Sequence, residues 1–159
     1  MFFVGIDPGI TGGIVVLNDD GTLDHSTRTP IIKDGSKRHF DLPGMVEVID
    51  DIDGDMVVGI EKVGTLPRDG RVGAFNFGRG YGMWLGILAA LRVPYMEIPP
   101  QRWQAKMLTG LPRGPQTKTS AVQRSKSLFP NIPIRVKADW GMADAALIAA
   151  YHATQEVEG

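Results

Sequence analysis

The chain has 159 residues, 43% of them hydrophobic, enough to bury one core and short for two, so one domain spanning residues 1–159 is expected. It has no cysteine, hence neither disulfides nor thiolate zinc sites; no apolar stretch reaches the roughly 20 residues of a spanning helix, and the start lacks a charged signal-peptide n-region, so a cytoplasmic, non-membrane protein is expected. The net charge of -1 hides an uneven distribution: 5 Lys/Arg and 12 Asp/Glu lie between Met1 and Pro67, 12 Lys/Arg face only Asp69 and Glu97 between Arg68 and Lys137, and four acids follow.

Phe2 to Asp7 is an apolar run rich in β-formers and closed by Pro8-Gly9, which predicts a strand ending in a turn. Gly13 to Leu17 predicts a second strand. The turn residues Asn18-Asp19-Asp20-Gly21 lead to a third near Thr22 to Thr27, completing an antiparallel meander. Arg28 to Phe40 is polar and reads as a loop. Asp41 caps a helix carrying Leu42, Met45, Val46 and Ile49 at helical spacing, with Pro43 in its first turn. Met56 to Glu61 is a fourth strand, again ending in an acid. Six glycines from Gly64 to Gly82 predict irregular chain, and Tyr81 to Leu91 a buried helix. Pro94 to Ile98 reads as a fifth strand, Pro99-Pro100 opens a helix through Met107, and Gly110 to Gln116 is a loop. Thr117 to Leu128 forms a basic amphipathic helix and Met142 to Val157 a final one. The order predicts an α/β architecture, a five-stranded mixed sheet with three antiparallel strands then two parallel, flanked by helices.

Asp7 and Glu61 each end a buried strand, where an ionised carboxylate is costly unless paired or bound to a cation. Asp144 opens an alanine-rich helix, with Asp139 just upstream. Taken singly, these acids have plainer explanations: a turn Asp capping its own backbone, a rim Glu beside Lys62, and acids complementing a helix dipole. Together they stand on separate elements that a mixed sheet brings to one edge. Clustered carboxylates repel, and hard divalent cations such as magnesium or manganese relieve the repulsion. Two ions about 3.5–4 Å apart stabilise both attacking and leaving oxygens of a phosphoryl displacement. The basic middle of the chain suits a polyanion partner, because cations that neutralise phosphates release condensed counterions. A solvated basic face is the plainer reading of those residues.

The segments Gly5-Ile6-Asp7-Pro8-Gly9, Ile60-Glu61-Lys62-Val63, Phe77-Gly78-Arg79-Gly80-Tyr81-Gly82 and Lys137-Ala138-Asp139 followed by Ala143-Asp144-Ala145-Ala146-Leu147-Ile148-Ala149 span nearly the whole chain. In this order they resemble the RuvC family of Holliday-junction resolvases, particularly its phage branch. The resemblance implies an RNase H-like fold, a homodimer and dependence on magnesium; that manganese can substitute and that two ions share the site are expectations from the carboxylate chemistry above. It also implies paired symmetric nicks in four-way DNA junctions, leaving 5′-phosphate and 3′-hydroxyl ends. Asp7, Glu61 and Asp144 match the first, second and last acidic ligands, and Asp139 the third. Two departures stand out. Asp139 and Asp144 are five residues apart where the family has three or four, so on a regular helix their side chains would sit about 140° apart. Both can reach one metal only if the helix starts after Asp139, near Gly141 or Met142. Gly64 also stands where bacterial members carry an aromatic that packs on junction bases. Phe75 or Phe77 is a substitute, although buried packing is the expected role for each.

Candidate DNA contacts are Arg68, Arg71 and Arg79 in the glycine-rich segment, then Arg102, Lys106, Arg113, Lys118 and Lys137, the last two nearest the expected metal site. The helix carrying Met83, Trp84, Ile87 and Leu91 is the expected dimer contact. No role is assigned to His25, His39 or His152. Alternative readings are a broader nuclease for flaps and forks, a junction-binding protein with a degraded site, and an actin-like phosphotransferase, which needs a second lobe.

Overall fold

The computed structural model describes residues 1–62, 64 and 70–158, with backbone alone for 156–158. Strands β1 (Phe2–Asp7), β2 (Gly13–Leu17), β3 (Leu23–Arg28), β6 (Met56–Glu61) and β7 (Tyr95–Ile98) form one sheet of order β3-β2-β1-β6-β7. The first three are antiparallel neighbours, and β6 and β7 continue the sheet in parallel with β1. Because β1 and β2 are buried on both faces, they lack polar alternation and read as continuous apolar runs.

Alternation along the strands divides the core. Val4, Ile6, Ile14, Val16, Val58 and Ile60 pack against α1 (Leu42–Asp50) and α2 (Arg71–Ala90), chiefly Met45, Ile49, Trp84 and Leu88. On the opposite face Phe3, Val15 and Leu17 meet Trp103 of α3 (Pro100–Met107), Ala121 of α4 (Thr117–Leu128) and the alanine-rich face of α5 (Trp140–Glu158). Helix α5 lies directly on β1: a Cβ on Gly5 would stand 2.0 Å from the Ala145 carbonyl oxygen and 2.5 Å from the Ala149 nitrogen. Among the described residues no helix is long and apolar enough to cross a membrane.

Three expectations change. Arg28 to Phe40 is not all loop: β4 (Ile31–Asp34) and β5 (Lys37–Phe40) form a separate hairpin, with Gly35 at φ 58 taking the turn position that glycine adopts without strain. Helix α2 begins ten residues before Tyr81, because tertiary packing overrides the low propensity of its glycines. Gly80 is a contact there: a Cβ would lie 2.3 Å from the Phe40 ring and 2.8 Å from the Pro8 carbonyl oxygen. Finally, a 3-10 turn (Lys137–Asp139) leads straight into α5 at Trp140, which moves Asp144 one turn inside the helix.

Candidate active site

The parallel register pairs Ile6 with Ile60, so the next residues, Asp7 and Glu61, end adjacent strands at the same sheet edge. Residues two apart on a strand share a face. Asp7 therefore lies on the side of Phe3, and Glu61 on that of Val57, both of which pack in the α5 core. The start of α5 is tied to this edge by a bridge between Gly12 and Gly141, a contact so close that a Cβ on Gly141 would fall 2.2 Å from the Thr11 carbonyl oxygen. Asp144 thus arrives beside the two strand ends, and three acids from three elements share one site.

Each carboxylate is held differently. Asp7 Oδ1 accepts from the Gly9 N–H at 3.1 Å, and Glu61 Oε2 accepts from Trp103 Nε1 at 2.7 Å. Asp144 Oδ2 takes the Lys118 ammonium, while its buried Oδ1 has no hydrogen-bond partner. Burial, then the charges of Asp7 and Asp144, pushes the Glu61 carboxyl up to about 7. Burial pushes Asp144 up to about 6 although Lys118 opposes it, and burial likewise raises Asp7. Burial disfavours the charge on Lys118 too, but Asp144, Asp7 and Glu61 outweigh it and hold that pKa above its ordinary value.

One ammonium therefore faces three desolvated carboxylates. Such a set of hard oxygen donors suits magnesium or manganese, and the unpartnered Asp144 Oδ1 is a free ligand atom. As they stand, no three Asp, Glu or His side chains among the described residues are drawn together tightly enough to enclose an ion. Lys118 supplies the local positive charge instead.

Asp139 is engaged elsewhere. It lies in the turn before α5, the position that ligation beside Asp144 would need, but its Oδ1 accepts from Arg28 Nε at 2.8 Å, and its Oδ2 from the Arg135 and Val136 N–H groups at 2.8 and 2.9 Å. Burial would raise its pKa, but those N–H groups and Arg28 hold it below the usual range. It is not among the charges that shift the other three acids.

Of the candidate DNA contacts, Lys118 and Lys137 line a cleft of about 180 Å³ with Asp7, Thr11, Trp140 and Gly141. Lys137 Nζ sits 5.7 Å from the centre of the Trp140 ring. Arg71 and Arg79 are exposed on the first half of α2, Arg102 and Lys106 on α3, and Arg113 ahead of α4, while Arg68 lies outside the described residues. Phe75 and Phe77, expected inside, are 68% and 53% exposed, and the Phe77 ring borders Gly9. Residues 71–79 of α2 are exposed apart from half-buried Ala74, so this half of the helix adds little to the core. The expected dimer face is also altered: Trp84 and Ile87 are buried within the chain, and only Met83 and Leu91 remain half-exposed.

Trp103, which holds Glu61, and Thr29, whose hydroxyl donates to the Gly9 carbonyl at 2.9 Å, carry no local sequence signal for these roles.

No protein-family model and no curated protein matches the chain. Among solved structures it is similar to T. thermophilus RuvC in complex with Holliday junction substrate. The TM-score is 0.72 at 21% identity, covering 100% of this chain and 96% of that one. It is also similar to a second Thermus thermophilus RuvC structure, with TM-score 0.68 at 20% identity over 98% and 97% of the two chains. The chain therefore has the RNase H-like fold. More particularly, its mixed sheet and flanking helices resemble those of the two RuvC structures.

Proposed function

We propose that this chain is a divalent-metal-dependent endonuclease that resolves four-way DNA junctions by paired symmetric nicks. The observation that carries the reading is the trio Asp7, Glu61 and Asp144, two buried acids and a half-buried one, all with raised pKa values, beside a cleft rimmed by Lys118 and Lys137. The substrate class rests on the likeness to RuvC bound to Holliday junction substrate.

Asp7, Glu61 and Asp144 would hold magnesium or manganese. Bound there, such ions neutralise the site and stabilise charge on the attacked phosphate. The chain's own groups prepare this position: the Gly9 N–H orients Asp7, Trp103 fixes Glu61, and the docking of α5 on β1 sets Asp144. Lys118 guards the carboxylates and lies at the cleft where a phosphate would approach. Asp139 braces the turn into α5 through Arg28 and the backbone, and is left out of the ligand set. Paired nicks need two matched sites, so the working unit is a homodimer. Its contact is the exposed apolar groove of Leu42, Val46, Met83, Ala90 and Leu91 between α1 and α2.

The test compares a four-way junction, a flap and a plain duplex with magnesium and with EDTA. Symmetric junction cleavage with magnesium alone is expected, and Asp7→Asn should bind without cutting. Junctions left intact in magnesium overturn the reading, and flaps cut as fast as junctions replace it with a broader branched-DNA nuclease.

A further inference from the structure

The hairpin β4–β5 runs against the charge of its surroundings. Outside it, Met1 to Pro67 carries only Arg28 and Lys62 as Lys/Arg, whereas residues 32–39 hold Lys33, Lys37 and Arg38 against Asp34 alone. All eight are exposed. The register sets Lys33 directly opposite Arg38, and like charges in a cross-strand pair oppose the pairing that holds them. Among the described residues, neither of these nor Lys37 has an ion-pair partner.

Two cations held against each other without a counterion make a place for an anion from outside. The register also gives the pair a direction. Residues two apart share a face, so Lys33 and Arg38 lie on the side of Ile31 and Phe40, roughly 7 Å further along the strands. Phe40 is buried, its ring against Gly80 of α2 and close to the Pro8 carbonyl. The base of the hairpin is therefore seated on the turn that follows Asp7. Thr29, just before β4, donates to the Gly9 carbonyl and ties the other leg to that turn. A two-stranded ribbon thus springs from the turn after Asp7, at the rim of the candidate active site, with its cationic pair on the strand face that Phe40 seats against α2.

We propose that this hairpin is a DNA-binding arm whose Lys33/Arg38 face grips phosphates of the duplex flanking the cleavage point. The proposal rests on the nuclease reading above. Phosphates spaced along a duplex match a pair of fixed cations, and a two-stranded ribbon is a shape that enters DNA grooves.

Binding of labelled four-way junction and of plain duplex is measured in EDTA, where strands stay intact, across a salt series. The double variant Lys33→Ala/Arg38→Ala should weaken both on the order of tenfold at 0.1 M salt and flatten the log–log salt slope by about 2, the share of two phosphate contacts. Its melting temperature should equal or exceed that of the unaltered chain, since a repulsive pair is gone. The charge-keeping exchange Lys33→Arg/Arg38→Lys should bind as the unaltered chain does, and Lys126→Ala, on the exposed side of α4, should leave binding within about twofold, separating a placed contact from a change of overall charge. Unchanged affinity and slope in the double variant, with salt-sensitive binding by the unaltered chain, overturn the arm alone. If the double variant melts early, the single variant Arg38→Gln takes its place, and unchanged affinity and slope in it overturn the arm as well. If the unaltered chain binds neither DNA, the nuclease reading falls and the arm with it.

Discussion

Glu61→Gln probes the site without any DNA. The substitution keeps size and leaves an amide oxygen to accept from Trp103 Nε1, but it removes one of three charges that burial and mutual repulsion make costly. The Glu61 pKa moves from 4.5 to about 7 on folding. Between those values the folded chain binds more protons than the unfolded one, so stability is lost as pH rises through the window. At 1.36 kcal/mol per unit, the penalty above pH 7 without metal is at most about 3 kcal/mol. Metal-free Glu61→Gln should therefore be more stable than the unaltered chain at pH 8, with a melting temperature higher by up to roughly 6–12 °C. At pH 5 the gap should nearly close. Magnesium at pH 8 should raise the melting temperature of the unaltered chain more than that of the variant, and junction cleavage by the variant should fall at least about a hundredfold. Thermal melts in EDTA and in magnesium at the two pH values measure all of this. A variant no more stable than the unaltered chain at pH 8 in EDTA would refute the claim that Glu61 sits in a strained, metal-ready cluster.

Asp139→Asn removes the charge that Arg28 and two backbone N–H groups converge on, and should cost about 1–3 kcal/mol in denaturant melts above pH 5. The loss should fade in acid, where Asp139 itself becomes protonated. Its junction cleavage, measured under single turnover on folded protein, should exceed that of Asp144→Asn at least about tenfold; equal rates would place Asp139 among the ligands. Gly5→Ala drives a methyl into the backbone of α5 at Ala145 and Ala149, so soluble expression or melting should show a loss above about 3 kcal/mol. Ala90→Glu puts a charge in the exposed groove between α1 and α2 and should yield monomers by light scattering, with little change in the melting of the single chain.

Much of the fold was legible because hydrophobic periodicity is local. The buried runs of β1, β2 and β6, and the helical spacing of α1, α3 and α4, declare themselves within a few residues. Asp7 and Glu61 were legible for a related reason: a charge closing an apolar strand is expensive wherever the strand sits. The hairpin β4–β5 escaped because its apolar residues, Ile31, Ile32 and Phe40, cluster at its base and the rest of both strands is polar, so no alternation marks it. Helix α2 was cut short because propensity treats Gly80 as a breaker, whereas here it is the gap that admits the Phe40 ring. The contacts that give the acids their character lie further out of reach. Lys118 meets Asp144 across 26 positions, Trp103 meets Glu61 across 42, and Arg28 meets Asp139 across 111. Sequence by itself determined which carboxylates would close the apolar strands. Only the packing of α5 on the sheet and of α4 against α5 decided that Asp144 joins them with Lys118, while Asp139 turns to Arg28, since local spacing carries no information about which side chains the folded core brings face to face.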